Sequence, residues 1–353
     1  MPDGTKRQSD VAAQGAHVGA LPRSAVKGRV IRIINGFEGQ FVDRDEAHVL
    51  AIRERGLRIT GPVDDFTVEV PCLTPTELSA RAAAGRGDDL RVVLLAVKAH
   101  HTEAAIGEVE PLLSETGFVV SVQNGLNEEV IARTVGHERT VGCFVNYGAD
   151  VLEPGVVVRG NRGAVVVGEV DGSRTPRIEW LHRVFTDFEP DAVLTDNILG
   201  FLWGKLAYGA ILFATALEER SIADVLDTPA YRPALIAVAR EAMQVADSLG
   251  VRPEPFDGFD PAAFAPTATD EQARASLDRL VTFNRGSAKT HSGVWRDIAV
   301  RRRKTEVDAQ IAPIAEIGAS LGVPTPRIER LVRLVHDVET GRRQQGAETL
   351  AAL

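Results

Sequence analysis

Cysteine is scarce in this chain of 353 residues, which has only Cys72 and Cys143. The two lie far apart and belong to no disulfide or metal-binding motif, so we expect buried, reduced thiols of a cytoplasmic protein. The N-terminal residues also lack the compact apolar segment of a secretory signal, which again favours the cytoplasm. Basic residues show no excess, since the net charge is −9, and this argues against a nucleic-acid partner.

Clusters of metal ligands and repeated membrane-length runs are missing as well. His100 and His101 have no metal-ligand spacing with other histidines, cysteines or carboxylates, so no metal is expected. One run, residues 198–217, is apolar and long enough to cross a bilayer, but Lys205 near its middle would cost about 3 kcal/mol to insert. We therefore predict that this run is a buried helix and that the protein has no membrane partner.

Lys205 is the only charged residue of that run. Taking an ammonium out of water costs several kcal/mol unless it is paired or loses its proton, so Lys205 should either give up its proton readily or point into a polar cleft. Either property suits a proton donor near neutral pH. The alternative is that Lys205 reaches from a buried helix to a solvated edge.

The segment from about 91 to 146 alternates strand and helix patterns. Strands are predicted at 91–97, 118–122 and 140–145, and helices after Thr102 and at 126–135. Such repeated units predict an α/β Rossmann-like parallel sheet covered by helices. Between 155 and 169, two β-rich runs flank the turn Gly-Asn-Arg-Gly, which predicts a hairpin at the edge of the sheet.

After about residue 196 only helical patterns occur, at 198–217, 228–250 and 305–338. We therefore expect a Rossmann-like dinucleotide-binding domain at 1–193, of which 1–41 are atypical. An all-helical C-terminal domain for substrate binding and dimerisation is expected at 194–345. The polar tail from about 340 is expected to fray.

Polar side chains follow two of the predicted strands, where ligands of such sheets bind. Lys98 follows the first strand, and Asn124 with Gly125 follows the second. Asn124 can both donate and accept hydrogen bonds, and the Asn-Gly pair can form a tight turn with open backbone amides. The alternatives are an ordinary turn at Asn124 and a solvated lysine at position 98.

Several segments resemble, in the same order, the ketopantoate reductase (2-dehydropantoate 2-reductase) family. They are VDRDEAHVLAIRERGLRI at 42–59, LLAVKAHHT at 94–102, SVQNGLNEE at 121–129, VGCFVNYGADVLEPGVVVRG at 141–160, WGKL at 203–206, SGVWRDI at 292–298, KTEVD at 304–308 and LGVPTP at 321–326. The resemblance covers about 42 to 338, and the combination of segments is specific. It implies a cytoplasmic oxidoreductase of pantothenate biosynthesis that uses NADP to reduce a 2-dehydropantoate-like 2-keto acid to the 2-hydroxy acid, and it leaves a homodimer open.

The resemblance also assigns roles to four residues. Lys205 matches the general acid that protonates the carbonyl oxygen, and Glu306 matches a glutamate that helps to bind the substrate and position the active site. Asn124 matches an asparagine near the nicotinamide and the substrate, and Lys98 matches a lysine on the cofactor side. From the residues alone, Glu306 has a competing explanation, because an acidic residue at a helix start stabilises the helix dipole by less than about 1 kcal/mol.

Substrate-domain positions depart from the family pattern. The family's asparagine one helical turn after the lysine is Gly209 here. Where a typical member reads Ser-Met-Leu-Gln-Asp, this chain reads Gly-Val-Trp-Arg-Asp at 293–297. We expect Ser292 and Arg296 to bind the substrate, since an arginine can pair with a substrate carboxylate.

Cofactor-side positions carry a second departure. Asp43 and Arg44 fall where the second strand of the family fold ends, and the acid favours a free ribose 2′-hydroxyl while the arginine can hold a 2′-phosphate. NAD therefore stays open, although the family implies NADP. No Gly-x-Gly-x-x-Gly occurs anywhere in the chain, and neither 15–19 nor 30–34 replaces it well. The alternative function is a catalytically impaired or non-catalytic relative that lacks a proper dinucleotide loop.

Overall fold

The computed structural model describes residues 39–84, 90–286 and 290–353, in which a β-rich part precedes a helical part. The strands are β1 (Phe41–Val42), β2 (Leu57–Thr60), β3 (Phe66–Val68), β4 (Cys72–Leu73), β5 (Leu90–Leu95), β6 (Leu113–Ser121), β7 (Thr140–Val145), β8 (Ala149–Glu153), β9 (Val156–Arg159), β10 (Val165–Glu169) and β11 (Val193–Leu194). The helices between them are α1 (Glu46–Arg55), α2 (Pro75–Ala83), α3 (Thr102–Val109), α4 (Glu128–Val135) and α5 (Pro176–Phe188). All the strand and helix patterns of 91–146 are thus present, and β7 has the predicted bounds.

The strands form three sheets. The largest has the order β11-β10-β7-β6-β5, and β5, β6 and β7 run parallel, as alternating strands and helices predict. Strands β1 and β4 form a parallel pair, and a four-stranded sheet has the order β3-β2-β9-β8. The α/β Rossmann-like prediction is confirmed. Cys72 and Cys143 are free and buried in this part, as expected.

The hairpin predicted over 155–169 is wrong. Strand β9 pairs with β8 and with β2, whereas β10 pairs with β7 and with β11. The chain turns instead at Gly155, whose φ of 82° suits glycine, so β9 folds back on the strand that precedes it. The Gly-Asn-Arg-Gly segment is therefore a crossing between two sheets.

The helical part surrounds one long buried helix. Its elements are α6 (Ile198–Thr215), α7 (Ile222–Asp227), α8 (Arg232–Ser248), α9 (Asp270–Arg285), α10 (Gly293–Ala299), α11 (Val307–Gln310), α12 (Ala312–Leu321), α13 (Pro326–Glu339) and α14 (Ala347–Ala351). Helix α6 starts after Asn197, whose side chain accepts a hydrogen bond from the backbone N–H of Gly200. It is long and apolar enough to span a membrane, but most of it is buried inside the protein, which is typical of a core helix.

The C-terminal tail does not fray as predicted. Helix α14 lies within it, and Leu350 and Leu353 are 1% and 3% exposed in the same apolar core as α6. The backbone N–H of Gly346 also donates to the carbonyl of Leu217, at 2.8 Å. Two leucines and one backbone contact thus anchor a segment whose composition is largely polar.

Candidate active site

A cavity of about 560 Å³ lies at the carboxyl ends of β6 and β7 and is closed on its other side by helices. Four of the residues expected at the site line it, namely Lys205, Asn124, Glu306 and Ser292. They come from α6, from the turn after β6, from the start of α11 and from the start of α10. The fold therefore brings together residues that are up to about 180 positions apart in the sequence, since parallel strands end at one edge and the helices pack over it.

Lys205 points into this polar cleft. Its Nζ donates to Oδ1 of Asn124 at 2.6 Å and to the backbone carbonyl of Val145. The same nitrogen lies 5.1 Å from the centre of the Phe144 ring, within reach of a cation–π attraction. These contacts offset the cost of placing an ammonium in an apolar helix, and they hold Nζ against the cavity.

The turn after β6 fixes Asn124. Gly125 has a φ of 95°, and a Cβ added there would lie 3.0 Å from the backbone carbonyl of Ala309 on α11. Nδ2 of Asn127 donates to the backbone carbonyl of Asn124 at 2.9 Å. The chain bends at 123–126, and glycine is needed at position 125 because its φ is positive and because the bend approaches α11 closely.

Glu306 and Lys98 form a buried ion pair. Oε2 of Glu306 accepts from Nζ of Lys98 at 2.8 Å, and its Oε1 accepts from the backbone N–H of Ala99 at 3.2 Å. Both side chains are 9% exposed. Glu306 precedes α11, yet its side chain caps no backbone N–H of that helix. Its carboxylate is thus directed to the end of β5, and Lys98 lies behind Glu306 instead of lining the cavity itself.

Asp297 is a cavity residue that the sequence reasoning did not select. Its buried carboxylate lies 3.0 Å from Arg301, 2.7 Å from Arg303 and 3.6 Å from Nζ of Lys98. Two arginines of the basic run that follows α10 therefore pair with this acid. An acid four residues before a cluster of arginines was the available signal.

The predictions that Ser292 and Arg296 bind the substrate have different outcomes. Ser292 is buried, lines the cavity and caps α10, because its Oγ accepts from the backbone N–H of Trp295 at 3.0 Å. Arg296 is not among the residues that line the cavity, and its Nη1 lies 3.5 Å from Oδ2 of Asp150. Ser292 is the N-cap that precedes α10, whereas Arg296 lies within the helix and its side chain approaches Asp150 of β8.

A turn at Asp257 and Gly258 closes another side of the cavity. These residues have φ of 41° and 79° and join the bridged pair Phe256 and Phe259. Oδ2 of Asp257 accepts from Nδ2 of Asn146 at 2.7 Å, at the end of β7. The Asp-Gly pair is a hairpin signal in the sequence, but its contact with Asn146 depends on the folded chain.

Of the two residues expected near the adenosine, Arg44 lines a second cavity, of about 270 Å³, and Asp43 does not; Val42 of β1 and much of β5 also line this cavity. Arg44 is exposed, lines this cavity and donates from Nη1 to Nε2 of His101 at 2.8 Å. Burial lowers the pKa of His101, and the charges of His100 and Arg44 lower it further, so a neutral ring accepts this bond. Asp43 is buried and accepts the backbone N–H of Asp45 at 2.8 Å.

Residues 1–38, most of the segment predicted to be atypical and to lack a proper dinucleotide loop, lie outside the described residues. Within 39–84, 90–286 and 290–353, no group of three or more histidines, cysteines or carboxylates is arranged to hold a metal ion. The polar groups of the larger cavity are therefore organised around Lys205, Asn124 and the Lys98–Glu306 pair.

In a double-mutant cycle, we expect Lys98 and Glu306 to show a coupling energy of about 2 kcal/mol. Each single replacement breaks the same charge-assisted hydrogen bond between buried groups, so the double variant loses that bond only once. The measurement is the free energy of urea unfolding of Lys98→Met, Glu306→Gln and the double variant. The exposed pair Arg333–Glu329, at 3.7 Å, is the control and should couple by less than about 0.5 kcal/mol. Equal coupling in the two pairs would contradict the prediction.

Family models match both parts of the chain. "Ketopantoate reductase PanE/ApbA" matches residues 33–172, and "Ketopantoate reductase PanE/ApbA C terminal" matches residues 197–339. This chain belongs to the ketopantoate reductase family. Ketopantoate reductases are oxidoreductases with a Rossmann fold that binds a nicotinamide cofactor, and the expected membership is confirmed. The match begins at residue 33, earlier than the resemblance at 42.

Relatives of this ketopantoate reductase family member are distant but extend over most of its length. A 2-dehydropantoate 2-reductase of Mesorhizobium japonicum is 26% identical over 84% of this chain and 89% of the relative. The structure of 2-dehydropantoate 2-reductase from Geobacter metallireducens has a TM-score of 0.70 at 24% identity and covers 86% of this chain and 92% of that one. D-mandelate dehydrogenase with NADH and anilino(oxo)acetate has a TM-score of 0.72 at 19% identity, with coverage of 87% and 92%. The two solved structures show the shared fold.

Proposed function

We propose that this protein reduces a 2-keto acid to the 2-hydroxy acid with NADPH and that Lys205 is the proton donor. The observation that carries the proposal is the position of Nζ, which lines the cavity while Asn124 and the Val145 carbonyl hold it. Addition of a hydride to a carbonyl carbon builds negative charge on the oxygen, and a proton from Nζ relieves it. A bound nicotinamide nucleotide supplies that hydride.

The other cavity residues orient Lys205 and the substrate. Asn124 accepts from Nζ, which fixes the direction of the ammonium, and its amide N–H groups can donate to a substrate oxygen. Glu306 lines the cavity and is held by Lys98, so its carboxylate keeps one position beside the substrate. Ser292 adds a hydroxyl whose proton is available to the cavity, since Oγ acts as the acceptor for Trp295.

The residues at the second cavity fit NADP better than NAD. A 2′-phosphate needs an exposed cation, and the guanidinium of Arg44 is exposed and held by the neutral ring of His101. An NAD site uses an acid for the ribose hydroxyls, but Asp43 is buried and bonded to its own turn. Arg44 and His101 would therefore hold the adenosine end of the cofactor, and Asn124 the nicotinamide end.

We also infer that the chain has two domains that divide near 193–194, because β11 ends at Leu194 and α6 begins at Ile198. Two free, buried thiols suit the cytoplasm, where we place the protein.

Titration with NADPH, followed by fluorescence or calorimetry, tests the proposal directly. We expect saturable binding and oxidation of NADPH that depends on an added 2-keto acid. The missing Gly-x-Gly-x-x-Gly motif favours the alternative of a non-catalytic relative. Absence of NADPH binding up to millimolar concentrations would support that alternative and refute the reductase.

Arg44→Ala is expected to weaken NADPH binding by about tenfold, because one charge-assisted contact to a phosphate is lost. NADH lacks that phosphate, so its affinity should change less than twofold. Isothermal titration of both nucleotides provides the measurement. Arg55→Ala, an exposed arginine on α1, is the control and should leave both affinities unchanged. An equal loss for the two nucleotides would show that Arg44 does not recognise the 2′-phosphate.

A further inference from the structure

Helix α6 presents a stripe of residues to the larger cavity, and one member of the stripe has no side chain. Leu202, Lys205, Gly209 and Leu212 all line the cavity at helical spacing. Gly209 lies one turn beyond Lys205, about 6 Å along the axis at the rise of an α-helix. The space next to the proton donor is therefore open.

Packing does not require glycine at position 209. A Cβ added to Gly200 would lie 2.2 Å from the carbonyl of Arg252, and one added to Gly204 would lie 3.0 Å from the carbonyl of Glu254. At Gly209, the nearest atom to an added Cβ is Cδ1 of Ile311, at an ordinary contact distance of 3.8 Å. Glycine inside a helix is less stable than alanine, and here alanine would fit. The packing of α6 therefore does not explain why residue 209 is glycine.

The cavity wall carries both polar and apolar side chains, and the apolar ones include the neighbour nearest to position 209. The next turn of α6 brings Leu212 and Phe213 to the cavity. Ile222 of α7, Val294 of α10 and Ile311, directly after α11, also line it. Ile311 is the neighbour nearest to Gly209.

Two acids of the cavity are paired with cations of the chain. Asp297 pairs with Arg301 and Arg303, and Glu306 pairs with Lys98. Next to Ile311 and the other aliphatic side chains, a hydrocarbon group would be transferred favourably from water, whereas a hydroxyl would gain no hydrogen-bond partner from them.

We propose that the substrate is a 2-keto acid with an apolar side chain, branched or aromatic, that occupies the space at Gly209. The assignment rests on the proposed function, because it places the C2 carbonyl at Nζ of Lys205. A side chain that extends from that carbonyl along α6 is directed towards Gly209, which lines the same cavity. Reduction consumes the keto group at C2, takes up one hydride from NADPH and one proton from Nζ, and leaves the side chain unchanged.

The test compares kcat/KM for 4-methyl-2-oxopentanoate, phenylpyruvate and 2-dehydropantoate with NADPH. The wild type is expected to favour at least one of the two apolar acids by about tenfold or more, and the two together distinguish branched from aromatic side chains. Gly209→Asn, which fills the space with an amide, should lower kcat/KM for the favoured apolar acid by about tenfold and that for 2-dehydropantoate much less. Gly107→Asn is the matched control, because Gly107 lies in α3 with no atom within 4 Å of an added Cβ.

Two results would overturn the inference while leaving the reductase intact. One is a wild-type preference for 2-dehydropantoate, and the other is an equal loss for all three acids in Gly209→Asn. If none of the three acids is reduced, the proposed function is refuted. Calorimetric measurement of hydroxy-acid binding then tests the apolar substrate space separately. The wild type should then bind 4-methyl-2-hydroxypentanoate or phenyllactate about tenfold more tightly than pantoate, and Gly209→Asn should remove the difference. Equal affinities for the three hydroxy acids would refute the apolar space as a substrate site.

Discussion

Replacing Lys205 by methionine is expected to lower kcat for keto-acid reduction by a factor of about one hundred to ten thousand, the range typical of a lost general acid. Methionine keeps the length and the apolar stem of lysine, so the packing of α6 should survive. It has no proton to give to the carbonyl oxygen, and it leaves Oδ1 of Asn124 without the donor found at 2.6 Å. Single-turnover oxidation of bound NADPH measures the effect on the chemical step.

Two measurements separate this loss from misfolding. The affinity of Lys205→Met for NADPH should stay within threefold of the wild type, since Arg44 lies at the other cavity. Lys304→Met removes an exposed lysine that pairs with Asp308, and it should leave kcat unchanged. If Lys205→Met retained wild-type kcat, the proton would come from another group and the proposed role of Lys205 would be refuted.

Local patterns predicted the elements that hold the site. Strand β7 is a short apolar run buried on both faces, and such runs can be read without knowledge of their partners. Lys98 and Asn124 follow strands that proved parallel, so the rule that ligands bind at carboxyl ends brought them to one edge. Lys205 stood out because a charge within an apolar run requires a polar environment.

The parts that sequence reasoning missed depend on contacts distant in the chain. The runs around β9 and β10 look like a hairpin, but β2, about 100 residues earlier, pairs with β9. Arg296 looked like a carboxylate binder, yet the carboxylate that it approaches is Asp150 of the same chain. In both cases a competing partner elsewhere in the fold decides the outcome, and the local sequence contains no information about that partner.

Glu128 shows the same limit for a single side chain. As the first residue of α4 it is typical of an acid placed to stabilise a helix dipole at the surface. In the folded protein it is only 5% exposed. Burial raises its pKa from 4.5 to about 7, against the opposing effects of the backbone N–H groups at the start of α4 and of the Ser121 hydroxyl.

Glu128→Gln is therefore expected to stabilise the protein in a pH-dependent way. Between about pH 4.5 and pH 7 the unfolded chain releases this proton while the folded chain keeps it, so the wild type loses stability as the pH rises. The loss is complete above about pH 7 and amounts to about 3 kcal/mol. Glutamine has nearly the same shape and no charge to bury, so the variant should escape the loss.

Urea unfolding at two pH values measures this difference. Near pH 8 Glu128→Gln should be more stable than the wild type by about 3 kcal/mol, and near pH 4 the two proteins should differ little. Glu129→Gln changes the adjacent, exposed glutamate and should shift stability by less than about 0.5 kcal/mol at either pH. A stability difference between wild type and Glu128→Gln that stays constant from acid to alkaline pH would mean that Glu128 has the same pKa in the folded and unfolded chains, and the raised pKa would be refuted. Its burial would then be balanced by neighbouring donors, and the carboxylate would contribute to holding the start of α4 beside the turn that positions Asn124.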